Sequence, residues 1–262
     1  MHVLVTFALP AEFAPWRDRH GFRRRLSSPP EAPLQPGGDQ VYEGLVGECR
    51  VHVLLTGVGC RGSRFALHHA LQGDCDLCVS AGLAGGLRDG FRIGDVVAAR
   101  RAVALGTKAS VASNTSLLTV AGICGAKTAN VSLTSDALAV TSAQKRQLAP
   151  LGEIVEMESY HVLRAAQAAR VPAVVLRAIS DTVDEDLPMN FDPLMDAQGE
   201  LSVRKLLGRL ARDPRKIPEL ARFGKKSRRA ADALAEFLDR CVGRFPSPLD
   251  DVKSMSLREA AR

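Results

Sequence analysis

Aromatic residues are scarce: one Trp, two Tyr and nine Phe among 262 positions, so the core has to be filled by Ala, Val and Leu. No apolar run reaches the roughly 20 residues that a membrane-spanning helix needs. The opening MHVLVTFALP lacks the basic start and small-residue cleavage site of a secretory leader, and a soluble, cytoplasmic protein is expected. Cysteine is present without a metal-binding pattern. Cys75 and Cys78 form a CxxC, but no second CxxC or HxxxH completes a zinc site. With Cys49, Cys60, Cys124 and Cys241 they read as reduced core residues, and neither metal nor cofactor is expected. An excess of positive charge is also missing from most of the chain. Residues 1–200 carry 19 Lys/Arg against 21 Asp/Glu, whereas 201–244 carry 13 against 5. That basic stretch lacks interleaved aromatics and any nucleic-acid motif, which argues against a nucleic-acid partner.

What is present is alternation. HVLVTF (2–7), RVHVLLT (50–56), DLCVSAG (76–82), IGDVVAARRAV (93–103), ANVSLTSDAL (129–138), EIVEM (153–157) and VPAVVLRAIS (171–180) read as strands. Between them RFALHHALQ, SAQKRQLA and ESYHVLRAAQAAR read as helices, with LPAEFAPW opening another. Residues 27–40, with four prolines and two glycines, predict a surface loop or hairpin approach. The order predicts an α/β domain over 1–200 whose sheet is buried on both faces. A basic helical extension follows over 201–245, broken by Pro214 and Pro218, and then a flexible tail over 246–262.

VEMES (155–159) places Glu156 and Glu158 one residue apart in an apolar run. A buried carboxylate costs several kcal/mol unless it is paired or holds a hydrogen-bonding ligand. In parallel α/β sheets ligands collect at the carboxyl ends of strands, and three acids fall at such ends: Glu12, Glu158 and Asp181. Helix capping or solvation explains each one singly; together with the glycine loops they predict a shared site. Gly57, Gly59 and Gly62 spell GxGxxG in TGVGCRGS. The acid that a dinucleotide fold wants at the end of the next strand is absent. A glycine turn that lets backbone approach a neighbouring strand or a small anion is the simpler reading.

SAGLAGGL, IGDVV, VEMES and RAISD, in that order and with an acid in the LPAEF loop, resemble the purine nucleoside phosphorylase and nucleosidase superfamily. The likeness is greatest to methylthioadenosine/S-adenosylhomocysteine nucleosidases and spans residues 1 to 185. It implies a single α/β domain with a twisted mixed central sheet flanked by helices, an oligomeric assembly, and cleavage of the bond between ribose and a purine base. By that pattern Asp181, oriented by Ser180, protonates the base at N7, a role that asks for a carboxyl shifted upward by burial. Glu158 accepts hydrogen bonds from the ribose hydroxyls, Met157 packs on the sugar, and Glu156 supports the others. Glu12 polarises the attacking water, which favours hydrolysis over phosphorolysis. Gly59 in the glycine loop completes the expected substrate contacts.

Two departures bear on substrate. Leu83 stands where such nucleosidases carry a serine before AGGL, and Leu138 where relatives place an aromatic against the base. The stretch between GDVV and TSDAL is short for the family, which implies a pocket open to a bulky 5′ group. With the basic C-terminal segment, this resembles the hopanoid-associated branch, whose proposed substrate is adenosylhopane. The amphipathic face of 201–212, with Leu201, Leu206, Leu207 and Leu210 beside Arg204, Lys205, Arg209 and Arg212, suits an anionic membrane surface. The same residues suit a helix packed on its own domain. A phosphate-dependent phosphorylase and a non-catalytic nucleoside- or dinucleotide-binding module are the alternatives to an adenine-releasing nucleosidase.

Overall fold

The structure is a computed structural model that describes residues 1–25, 41–107, 109–196, 199 and 202–246. The proline-rich loop expected at 27–40 and almost all of the tail expected at 246–262 lie outside the described residues.

Chain order is β1 (His2–Phe7), α1 (Pro10–His20), β2 (Arg23–Arg24), β3 (Val41–Val46), β4 (Cys49–Leu55), α2 (Arg64–Gln72) and β5 (Leu77–Gly86). Then follow β6 (Val96–Ala104), β7 (Ser110–Ala112), α3 (Thr115–Ile123), β8 (Lys127–Thr134), α4 (Ser142–Leu148) and β9 (Ile154–Glu156). The chain ends with α5 (Ser159–Ala168), β10 (Ala173–Asp181), α6 (Val203–Arg212) and α7 (Ile217–Cys241). The strands form one mixed sheet in the order β10-β6-β8-β9-β5-β1-β4-β3-β2. An additional β10–β5 pairing closes five strands into a ring. Within it β5 and β10 run parallel, and Arg177 sits opposite Gly82. Helices cover both faces, over one apolar cluster built around Phe7, Trp16, Val79, Leu176 and Leu234 and another around Leu54, Cys78, Val97, Leu163 and Ile179.

Four segments differ from the sequence reading. SAG does not end its strand in a glycine loop; β5 runs on to Gly86, because its glycines leave room for partners on both sides, β10 and β9. The Ser/Thr/Ala-rich stretch between IGDVVAARRAV and ANVSLTSDAL, which the sequence reading assigns to no element, contains α3, capped by the Asn114 side chain accepting from Leu117 N and anchored by buried Leu117 and Ala121. The unassigned VYEGLV is β3, hairpin partner of β4. Pro218 breaks nothing. It lies in the first turn of α7, where a missing N–H is harmless, and the single interruption of the basic segment is the turn at Pro214–Lys216.

The second half of α7 belongs to the main core: Ala230, Leu234, Phe237, Leu238 and Cys241 are all buried there. It also grips α1. Trp16 Nε1 donates to Asp239 Oδ1 at 2.7 Å, His20 Nε2 lies 2.6 Å from the same oxygen, and Arg19 bridges Glu236 at 2.9 Å. Trp16 is fully buried, so deleting its acceptor strands an indole N–H. We expect Asp239→Ala to cost about 2 kcal/mol in urea unfolding, with Glu236→Ala, at an exposed pair, costing well under about 1 kcal/mol.

Candidate active site

Glu12 and Glu158 are each delivered by a junction between a strand and a helix, and Asp181 by the last position of β10. Glu12 sits in the first turn of α1, just after β1, and its Oε2 accepts the Ala8 and Leu9 amides at 2.9 and 3.1 Å. That is the capping role expected of any acid at this position. Its other oxygen, Oε1, leaves the helix and accepts Leu83 N from β5 at 3.1 Å. Glu158 precedes α5, and its Oε1 accepts Gly59 N at 3.0 Å. The glycine loop therefore brings backbone to a carboxylate, with Gly57 and Gly59 at φ +67° and +69° to make the turn.

Arg177 joins them. It is 1% exposed in the middle of β10. One guanidinium nitrogen reaches Glu156 Oε2 at 2.7 Å and Ser159 Oγ at 2.9 Å, and another lies 3.5 Å from Glu158 Oε2. A Cβ on Gly82 would overlap this guanidinium and stand 3.4 Å from Glu12 Oε1, so the glycine of SAGL is where Arg177 and Glu12 come together. Glu156 takes the strongest share of the positive charge. It also accepts Thr134 Oγ1 at 2.5 Å and the Glu158 and Ser159 amides at 2.9 and 2.7 Å. It anchors the start of α5 and leaves Glu158 the weaker partner.

Burial pushes Glu158 up to about 7; Arg177 opposes the shift, and the nearby Glu156 and Glu12 carboxylates add to it. Glu12 is raised by burial too, against the pull of Arg177 and three backbone N–H groups. Two carboxyl groups of elevated basicity thus flank one guanidinium.

Asp181 lies four residues along β10, roughly 13 Å at ordinary strand rise. Its Oδ1 is 2.7 Å from Ser180 Oγ. A Cβ on Gly85 would stand 3.0 Å from its Oδ2. Asp181 is 7% exposed, and its environment holds a charge that the sequence reading did not place there: the ammonium of Lys145 from α4 forms an ion pair with Oδ2. A cavity of about 460 Å³ borders Asp181 and is walled by Leu187 and Pro188 and by Lys216, Arg222, Phe223 and Lys226 of the basic segment. Glu12 and Glu158 are not among its lining residues.

The remaining expected contacts divide. Met157 is buried between the two glutamates, at 6% exposure. Leu83 enters through its backbone amide, while its side chain packs on the core. Leu138 lies apart from Arg177, in a cluster with Met189, Phe191 and Leu194, and its amide donates to Asp192 Oδ2 at 3.2 Å. Phe191, stacked on Phe223 at 5.6 Å, puts a ring into that cluster from a different segment than Leu138. Arg177 and Lys145 are the functional-looking groups that sequence reasoning passed over. One signal was available for Arg177, a lone cation in AVVLRAIS, by the same logic that singled out VEMES.

An α/β chain whose ringed sheet gathers buried acids at the ends of β1, β9 and β10 has the nucleoside phosphorylase-like fold. The family model of the phosphorylase superfamily matches residues 2–116 and 131–242, and the chain belongs to that family. The match skips 117–130, within the stretch between GDVV and TSDAL. Among solved structures, futalosine hydrolase of Helicobacter pylori superposes with TM-score 0.68 at 19% identity, covering 93% of this chain and 97% of that one. The 5′-methylthioadenosine/S-adenosylhomocysteine nucleosidase of Neisseria meningitidis, in complex with methylthio-immucillin-A, gives TM-score 0.67 at 20% identity, with 92% and 98% covered. Its Campylobacter jejuni counterpart gives 0.67 at 14%, with 92% and 98% covered. At these identities the likeness defines the fold.

The raised Glu158 means that the folded protein holds a proton which the unfolded chain releases near the ordinary value of 4.5. Its contribution to stability is full below that value and is lost as pH rises through about 7. Glu158→Gln should therefore melt close to wild type at pH 5 and several degrees above it at pH 8. Parallel pH–melting curves for the two proteins would show that Glu158 does not titrate in this window.

Proposed function

We propose that the protein is a nucleosidase that cleaves the N-glycosidic bond of a 5′-modified adenosine and releases adenine. The observation that carries this reading is the pairing of Glu12 and Glu158 across buried Arg177, with Asp181 farther along the same strand at a distance of the order of a nucleoside's length. Breaking C1′–N9 leaves positive charge on the ribose and negative charge on the base. The ribose end is given oxygen ligands. Ionised Glu158 accepts the sugar hydroxyls once they displace the Gly59 amide, and Arg177 holds its geometry. Glu12, raised by burial and steered by Leu83 N, takes a proton from the water that attacks C1′. At the other end Asp181, set by Ser180, hydrogen-bonds and protonates N7.

Hydrolysis is favoured over phosphorolysis. Leu83 offers no hydroxyl to a phosphate, and its amide is already engaged by Glu12. The neighbours named above are a hydrolase and nucleosidases. In phosphate-free buffer, adenine release from 5′-methylthioadenosine or another 5′-modified adenosine is the expected result, with kcat falling about 100-fold or more in Asp181→Asn. A folded sample that turns over only with phosphate present would mean phosphorolysis, and one that binds nucleoside without any turnover would mean a binding module.

The finer reading is a lipid-linked substrate, as in the hopanoid-associated branch, with α6 resting on an anionic membrane face. One feature supports it. Leu207 and Ile217 are 60% and 50% exposed beside a row of cations, although Leu206 and Leu210 pack inward against the Phe191 cluster. Among the described residues no helix is long and apolar enough to cross a membrane. Each cation near such a surface is worth about 1 kcal/mol. Reversing Arg204, Arg209 and Arg212 to Glu should abolish co-sedimentation with anionic vesicles while leaving turnover of a small soluble nucleoside intact. Equal pelleting of both proteins removes the membrane contact.

A further inference from the structure

Lys145 is an anomaly in its helix. α4 reads SAQKRQL, a short surface element, yet this lysine is 0% exposed. Burying an ammonium costs several kcal/mol unless every proton finds an acceptor. Here each one does. Nζ donates to Thr182 O at 2.9 Å, to Glu185 O at 2.7 Å, and to the Asp181 carboxylate. The two carbonyls would suffice to pin the turn after β10. The third bond is made to the Asp181 carboxylate, which borders the cavity together with those of Glu185, Asp186 and Glu219.

We propose that Lys145 is the positioning residue of Asp181 and the store of the proton that Asp181 passes to the departing base. This rests on the nucleosidase reading. As an ion pair the two residues carry Asp181 as carboxylate and Lys145 as ammonium, so Asp181 alone has no proton to give. As C1′–N9 breaks, its electron pair goes to the purine. A proton leaves Lys145 Nζ for the Asp181 carboxylate, and the carboxyl so formed protonates N7. Lys145 ends as a neutral amine and adenine as a neutral base. The proton that Glu12 gains from the attacking water is released to solvent, and another returns to Lys145 through the cavity at Asp181. Arginine could supply the same charge but could not give up a proton near neutral pH.

The groups facing this ammonium are few. On the turn after β10 stand Glu185, itself held by Lys226 at 2.7 Å, and Asp186, whose carboxyl accepts Ser142 N. Arg146, next along α4, is turned outward to Asp184. Both Glu185 and Asp186 lie below the usual carboxylate range, hydrogen bonds from Lys226 and Thr182 overcoming burial in the first and from Ser142 acting on the second, with Lys145 contributing to each. They remain charged at neutral pH.

The test compares full-length wild type, Lys145→Met, Lys145→Ala and Lys145→Arg on 5′-methylthioadenosine in phosphate-free buffer, with melting temperature measured for each. Met fills the buried channel at nearly the same volume. The expected result is a kcat lower by about 100-fold or more in all three variants, with KM within about threefold of wild type. Ethylammonium should restore kcat of Lys145→Ala at least about tenfold. Tetramethylammonium, which has charge but no proton to transfer, should not. Four outcomes overturn the proposal: wild-type kcat in Lys145→Met, recovery by Lys145→Arg, equal rescue by the two ammonium ions, or loss of folding in all three variants, which would make the lysine structural. A wild type without turnover would instead remove the nucleosidase reading itself.

Discussion

A buried guanidinium shared among carboxylates is the constraint on which the rest of this molecule depends. Arg177 occupies the middle of a strand flanked by two others, so its charge cannot reach water. Glu156 meets most of that charge and is itself saturated by backbone and hydroxyl donors. Glu158 and Glu12 receive the remainder, too little to offset their own desolvation, and so both keep elevated basicity. Surrounding choices follow from this. Gly82 has no side chain because the guanidinium needs the space, Ser80 and Ser159 supply oxygen to its remaining N–H groups, and α5 starts where Glu156 can hold its first amides.

The alternation of strands and helices, and the identity of the three acids at strand ends, were legible in the sequence because both are local signals. Apolar periodicity marks a strand wherever it folds, and an acid in an apolar run is anomalous in any context. Closure of the ring was not legible, since it depends on β10 finding β5 and β6 across long separations. The AGG stretch of β5 was misread for a related reason. Glycine reads as a turn until the strands that crowd it are known. Lys145 was hidden by its neighbours: within SAQKRQL it looks like one more solvated cation, and only the turn after β10 shows otherwise.

The two ends of the site differ in kind. Around Glu158 every polar group is already engaged, with the Gly59 amide on one oxygen and Arg177 near the other. On the proposed reading a sugar exchanges hydrogen bonds there rather than adding new ones, and part of its intrinsic affinity goes to displacing the loop. Around Asp181 the protein leaves open volume walled by the basic segment. On that reading, binding and chemistry are set by different neighbours.

The long C-terminal helix α7 joins these regions while dividing its own sequence into two regimes. Its last four turns are committed to the interior and to the grip on Trp16, so substitutions there register as instability before they alter chemistry. Its opening turns border the cavity, and with α6 they pack only against the small Phe191 cluster, carrying little of that burden. Relatives that diverge toward new 5′ substituents should therefore accumulate change before residue 227 and little after it, with selectivity drifting in one half of a helix whose other half stays fixed.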